Sequence, residues 1–250
     1  GAIAGGGVGM AAGLGSCIIF SPKRFDVAKK EISVEGNIDF NTLLKDRADR
    51  LEAYQNKKLA EKYIQLCIRG QEKNANLGNA IARGYFKLLA YKDEYEVARL
   101  HVDYLEKQLS DTFSNYKSLK FHMAPPLISK RNKKGELVKK EFGSWIFNLM
   151  KLLKNGKHLR GTILDPFFFS GERIKERQLI KEYERDIDLV LKKYNSTKHD
   201  ASIALALLPL QIKGFGHVKN LSITNAELAR KDLIEKVIGN FDQHKQTAAE

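Results

Sequence analysis

Cysteine is scarce in this sequence, since its 250 residues include only Cys17 and Cys67. Two thiols so far apart cannot form a disulfide framework, and the sequence therefore predicts a protein of a reducing cytoplasm. A four-iron cluster is held by four thiolates, and the motif CxxC does not occur. The composition argues against both a disulfide scaffold and a cluster of this kind within the chain.

Recognisable catalytic motifs are also lacking. The six histidines show neither HxxxH nor HxH spacing, so we predict no zinc site. Neither GxSxG nor a P-loop is present, and Cys67 alone does not indicate a Cys–His dyad. We expect no metal and no cofactor in this chain.

Charge is absent from the first 22 residues, and seven of the first fifteen are glycine. The length of this run and the spacing of Gly5, Gly9 and Gly13 are typical of a transmembrane helix. However, the glycines dilute its apolar character, and no basic region precedes it as in a signal peptide. We predict no membrane span. Because the chain begins at Gly1, we expect that it is processed or excised from something longer.

The same glycines are similar in spacing to a dinucleotide-binding loop, where the backbone must approach a pyrophosphate closely. Such a loop follows a strand, and only Ala2 and Ile3 precede the glycines. Asp26 is the acidic residue at about the expected distance, but it lies on no visible strand. We therefore interpret residues 1–38 as a glycine-rich start or linker.

Positive charge dominates, with a formal net charge of +13, and it is concentrated in one stretch. Residues 117–160 hold twelve lysines or arginines against two glutamates. A basic face can meet nucleic acid, anionic lipid, a phosphorylated cofactor such as coenzyme A, or an acidic partner. A solvated, lysine-rich loop is the alternative interpretation.

Apolar residues recur at helical spacing over most of the chain, which predicts a mainly α fold. A first long helix should run from a cap at Asn41 to about Arg69 and end at Gly70. A second should run from about Ala75 to Gln108, so that the two form an antiparallel helical hairpin. Further helices are predicted at residues 144–154, 173–193, 201–208 and 226–238, with Ser170 as the cap of the second.

A small β-hairpin is predicted near residues 118–142, because a short segment closed by Pro125-Pro126 is followed by a polar turn. The helical domain should extend over residues 39–240, and residues 241–250 should form a frayed tail. No internal repeat or alternating strand–helix pattern is present, which argues against a Rossmann-type sheet.

Six short blocks of sequence resemble, in order, the C-terminal region of the indolepyruvate ferredoxin oxidoreductases, which are large 2-oxoacid:ferredoxin oxidoreductases. The resemblance covers about residues 39–238. The blocks are AYKDEYEVARLH (90–101), LKFHMAPPLISKR (119–131), KKEFGSWI (139–146), HLRGTILDPF (158–167), ERQLIKEYE (176–184) and LPLQIKGFGHVK (208–219).

The resemblance implies an oligomeric, cytoplasmic enzyme that uses thiamine diphosphate to decarboxylate an aryl or related 2-oxoacid. Electrons would pass through iron–sulfur clusters to ferredoxin, and an acyl-CoA would form. The chain departs from the whole enzyme, because it has neither the GDG motif with a downstream Asn that holds Mg²⁺ and thiamine diphosphate nor the cluster cysteines. We therefore expect a non-catalytic structural or assembly domain, inactive when isolated, whose cofactors lie in the rest of the enzyme.

The predicted β-hairpin, the loop around Arg160 and the loop at residues 214–217 should together form one contact surface for the catalytic domains or for coenzyme A. Arginine and histidine suit phosphate or carboxylate contacts, and glycine permits close backbone approach. A surface arginine and a structural histidine are the alternative interpretation, and a basic module for nucleic acid or an acidic partner protein is the alternative function. The candidate residues are Lys133, Lys134, Lys139, Lys140, Arg160, Gly214, Gly216 and His217.

Overall fold

The computed structural model describes residues 38–112, 121–123, 138, 140–214 and 216–239. The prediction of a mainly α fold is confirmed, because these residues form eight α-helices and one pair of short strands. The helices are α1 (Phe40–Tyr54), α2 (Lys57–Lys73), α3 (Ala75–Leu89), α4 (Glu94–Thr112), α5 (Trp145–Asn155), α6 (Gly171–Lys193), α7 (His199–Leu207) and α8 (Gly216–Ile238). Short 3₁₀ turns follow α5, α6 and α7.

The first predicted long helix is two helices, α1 and α2. Asp39 caps α1 instead of Asn41, and its carboxylate accepts the Asn41 and Thr42 amides. Asn56 then starts α2 by accepting the Leu59 amide at 2.9 Å. Gly70 does not end α2, because it lies where α2 meets α3, and a Cβ there would be 2.4 Å from an Ile81 methyl carbon.

The second predicted long helix is also two helices, α3 and α4. The chain leaves the helical path after Leu89, and Asp93 caps α4 by accepting the Glu96 amide at 2.8 Å. The prediction that each arm of the hairpin is one long helix was therefore wrong. The side-chain oxygens of Asn56 and Asp93 satisfy free amides at the start of each new helix, which favours the breaks.

The two strands, β1 (Phe121–Met123) and β2 (Lys140–Phe142), pair antiparallel with Phe121 opposite Phe142. Strand pairing was therefore predicted correctly, while the segment that connects the strands lies outside the described residues. Residues 1–37 and 240–250 also lie outside the described residues, and they include most of the predicted start and all of the predicted tail. None of the described helices is long and apolar enough to cross a membrane.

The main core is formed by α1–α3 together with α6–α8. Three tyrosine rings stack through it, with centroids 6.0 Å apart for Tyr63 and Tyr85 and 5.6 Å apart for Tyr85 and Tyr183. The Tyr183 hydroxyl donates to the Ala206 carbonyl, where α7 passes so close to α3 that a Cβ on Gly84 would be 2.0 Å from that oxygen. A separate small core holds α4 against α5.

Ser170 caps α6 as predicted, because its hydroxyl accepts the Arg173 amide at 3.3 Å. The last helix, α8, begins ten residues earlier than predicted, at Gly216. Gly216 and His217 are therefore in its first turn instead of in a loop. Gly214 precedes them with a φ of 92°, a left-handed conformation that glycine adopts readily.

Candidate functional site

A buried ion pair joins the start of α4 to the loop after α5. Arg160 Nε and Nη2 donate to the two Asp93 carboxylate oxygens at 2.5 and 2.9 Å, and Nη1 donates to the Tyr54 carbonyl at 2.6 Å. The guanidinium also lies over the Tyr54 ring, 3.7 Å from its centroid. Both charged side chains are almost fully buried, with 4% and 2% exposed. Burial lowers the pKa of Arg160, but the hydrogen bond to Asp93 and the nearby charges of Tyr54, Asp93 and Tyr91 together outweigh this and hold the pKa above its usual value.

The loop that follows Arg160 is held by Asp165. Its carboxylate accepts the Tyr95 hydroxyl and the Phe167 amide, both at 2.9 Å, and the Gly161 amide at 3.0 Å. Gly161 has a φ of 76°, which a side chain would strain. Residues 161–169 therefore form a fixed turn anchored in the core.

This fixed turn exposes large apolar side chains. Ile163, Leu164 and Phe169 are 83%, 73% and 78% exposed. Scattered apolar residues are common on protein surfaces, but three of these on one short, internally bonded turn form a candidate contact surface. We call residues 161–169 the apolar turn.

A second charged cluster lies next to the first, at the start of α6. Arg173 forms ion pairs with Glu94, at 3.3 Å, and with Glu176. Lys219, from α8, reaches the other oxygen of Glu176 at 2.5 Å. Burial raises the pKa of Glu94, although Arg173 partly opposes this. The cluster joins α4, α6 and α8 at one point.

This second cluster forms part of the wall of a cleft of about 840 Å³. Lysines from three parts of the chain line the cleft, and apolar residues line it as well. We call it the lysine cleft. Its lysines are Lys87, Lys92, Lys175, Lys213 and Lys219, and its apolar side chains include Leu88, Tyr91, Leu179, Pro209, Ile212 and Ile223.

The lysine cleft is strongly positive. Six cationic side chains line it, counting Arg173, against Glu172 and Glu176. Burial lowers the pKa of Lys87, and the nearby charges of Lys219, Lys213 and Lys92 lower it further. The lysines therefore repel one another, and this repulsion favours the binding of an anion.

Two long helices begin beside the cleft. Gly171, the first residue of α6, lines it, and so do Lys219 and Asn220 in the first turns of α8. Free amides and the helix dipole make the start of a helix locally positive. Both helix starts add to the positive potential of the lysines.

The residues predicted from the sequence do not form one surface in the described part of the chain. Arg160 is buried in its ion pair with Asp93, so its guanidinium is not available for a surface contact. Lys140 is exposed on β2, and Gly214 lines the lysine cleft. Lys133, Lys134 and Lys139 lie outside the described residues, as do the side chain of His217 and the surroundings of Gly216.

Sequence reasoning missed the lysines of the cleft, although Lys213 lies directly before Gly214. It also missed the pairing of Asp93 with Arg160, two residues that lie in different blocks of the family resemblance. Both features depend on contacts between distant segments. The available local signal was limited to Asp93, a residue type that often caps helices and that falls inside the second predicted long helix.

Comparison with known proteins gives one match. The family described as "Family of unknown function (DUF6537)" matches residues 40–232. Neither the curated proteins nor the solved structures contain a match to the chain. The matched residues include α1–α7, most of α8, the apolar turn and the whole lysine cleft. Since the match covers more than half of its length, the chain belongs to this family of unknown function.

Proposed function

We propose that the chain is a non-catalytic assembly domain of a thiamine-diphosphate-dependent 2-oxoacid:ferredoxin oxidoreductase of the indolepyruvate type. Such an enzyme makes an acyl-CoA and would be cytoplasmic and oligomeric. The six blocks of sequence resemblance support this context. Two of them, residues 90–101 and 158–167, contribute the two sides of the buried Asp93–Arg160 pair.

The metal ions of such an enzyme have no evident set of ligands among the described residues. Burial raises the pKa of the Cys67 thiol to about 12, so its sulfur is protonated at neutral pH and is a poor metal ligand. Across the residues that the structure describes, no three His, Cys, Asp or Glu side chains group in a way that could hold a metal ion. We propose that thiamine diphosphate, Mg²⁺ and the clusters are held by the rest of the enzyme, as the sequence resemblance implies.

The apolar turn is the observation that carries the proposal. Burying a large aliphatic or aromatic side chain is worth about 1.5–3 kcal/mol relative to leaving it in water. Asp165 already fixes the turn through three hydrogen bonds, so little conformational entropy is lost when a partner covers it. Ile163 and Leu164 also lie within the resemblance block 158–167. Contact with the catalytic domains is the use that best fits an exposed, fixed apolar turn.

Co-purification of the chain with the catalytic domains of the enzyme tests this proposal. We expect the double variant Ile163→Asp, Leu164→Asp to lose the association, because two charges would have to be buried at the contact. Its helical circular dichroism should be unchanged, since both side chains are exposed. Leu228→Asp, at an exposed apolar position of α8 that is 55% exposed, is the matched control and should associate normally. Normal association of the double variant would refute the role of the turn.

A basic binding module for nucleic acid or an acidic partner protein is the second candidate, and the lysine cleft is the observation that favours it. Binding through lysine–phosphate contacts weakens steeply with salt because counterions are released. For nucleic acid we expect only weak binding that physiological salt removes, measured by fluorescence anisotropy. A selective complex that survives physiological salt would favour this second function over the first.

A further inference from the structure

The lysine cleft has the size and lining of a ligand site. Small-molecule sites usually enclose about 300–1,000 Å³ and combine apolar walls with a few convergent polar groups. The cleft, at about 840 Å³, lies in this range. A lone inorganic phosphate would fill only a small part of it. Its size therefore favours a larger molecule with an apolar part.

The charges of the cleft indicate that the ligand also has an anionic part. Six cationic and two acidic side chains line it, and Glu94 pairs with Arg173 from outside the lining, which leaves three positive charges in excess. Within the described residues, neither Lys87 nor Lys92 forms an ion pair, whereas Lys219 is held by Glu176. A phosphoryl group carries close to two negative charges at neutral pH. More than one such group would be needed to balance the excess.

The backbone favours an anionic group in the cleft. The first turns of α6 and α8, two helices of 23 residues each, border the cleft. Helix starts bind phosphate through free amides, and lysine is a common phosphate ligand that acts as a point charge. Arg173, whose planar group would suit a carboxylate or a phosphate, is already paired with Glu94 and Glu176.

The turn before α8 is built to hold the backbone close to the cleft. Gly214 lines the cleft with a φ of 92°, and a Cβ at this position would be 2.6 Å from a Val218 methyl carbon. Only glycine fits this turn without a shift of its neighbours. Lys213 lies directly before Gly214, and α8 begins at Gly216.

We infer that the lysine cleft binds a phosphorylated organic molecule with two or more phosphoryl groups. Lys87, Lys213 and Lys219 contact the phosphates, and Tyr91, Leu179 and other apolar side chains of the cleft contact the organic part. This site is separate from the apolar turn, so it does not depend on the assembly role proposed above. Loss of one function by mutation should leave the other intact.

Isothermal titration calorimetry of the chain with inorganic diphosphate tests the inference, with citrate as a carboxylate of similar charge. We expect diphosphate to bind and citrate to bind at least about tenfold more weakly, and we expect added salt to weaken the binding. Lys87→Ala and Lys213→Ala should each weaken diphosphate binding about tenfold. Lys181→Ala, at an exposed position of α6 outside the cleft, should bind like the unchanged chain.

A second measurement avoids dependence on the folding of variants. Lysine acetylation of the unchanged chain, followed by mass spectrometry, should slow at Lys87 and Lys213 when diphosphate is present, but not at Lys181. If coenzyme A competes with diphosphate, the natural ligand is a nucleotide-type phosphate ester. If coenzyme A does not compete, the ligand is a simpler phosphate ester. Equal affinity for citrate, stronger binding of an acidic peptide, or unchanged acetylation would overturn the inference.

Discussion

Breaking the buried pair of Arg160 and Asp93, which couples the helices to the apolar turn, should strongly destabilise the fold. Replacing Arg160 by methionine keeps much of the side-chain length but removes the two hydrogen bonds to Asp93, the one to the Tyr54 carbonyl and the contact with the Tyr54 ring. The carboxylate of Asp93, whose side chain is 2% exposed, would keep only its bond from the Glu96 amide. An uncompensated buried charge costs about 3–5 kcal/mol.

Urea unfolding followed by circular dichroism measures this cost. A loss of about 3–5 kcal/mol would be a large part of the 5–15 kcal/mol that is typical of a folded domain. Asp93→Asn removes the opposite charge and leaves an oxygen that can still accept the Glu96 amide. The double variant Asp93→Asn, Arg160→Met should therefore be more stable than the sum of the two single effects predicts, by about 1–3 kcal/mol.

Arg69→Met is the matched control for this experiment. Arg69 forms an ion pair with Asp188 at 2.8 Å, but both side chains are about half exposed. A pair of this kind contributes about 0–1 kcal/mol. If Arg160→Met costs no more than Arg69→Met, or if the double variant is strictly additive, Arg160 does not compensate the buried charge of Asp93.

Three further predictions follow from single contacts. Gly84→Ala should lower the unfolding free energy by about 1–3 kcal/mol, because its Cβ would be 2.0 Å from the Ala206 carbonyl oxygen; unchanged thermal unfolding would contradict this. Ser170→Ala should cost about 1 kcal/mol in urea unfolding through loss of the α6 cap, and a cost near zero would show that the hydroxyl is dispensable. Burial and neighbouring lysines lower the pKa of Lys87 in the folded chain. Between this lowered pKa and the ordinary lysine value of about 10.5, Lys87 therefore binds more protons in the unfolded chain than in the folded chain. Stability should therefore rise over that interval, and Lys87→Met should lack the rise in urea midpoints; an identical alkaline profile for both proteins would refute the assignment.

The basic stretch at residues 117–160 shows why charge in a sequence is ambiguous. Three of its described cations have structural partners: Lys154 binds Asp103 at 2.7 Å, Lys157 donates to the Ala53 carbonyl, and Arg160 is buried. The lysine cleft instead draws its charge from residues outside this stretch. Local charge density therefore predicted a basic surface but did not identify the residues that line the cleft.

Sequence by itself determined the helical class of this protein, because the period of its apolar residues depends only on neighbours a few positions apart. It also indicated the cap at Ser170 and the pairing of two strands near residues 118–142. The helix breaks at Asn56 and Asp93 were missed, although both residues are good caps, because the apolar period continues across them. The conformational freedom of glycine predicts a helix end at Gly70. In the structure Gly70 lies within α2, where its lack of a side chain permits the close contact with α3.

Only the tertiary structure decided which charges are buried and which meet. Arg160 has the same local surroundings as the exposed lysines near it, and its burial depends on Asp93, which is 67 residues earlier. The lysine cleft likewise brings Lys87 and Lys213 to one site from α3 and from the turn before α8. The energy of such contacts depends on distance and burial in the folded chain, and these are properties that no short stretch of sequence contains.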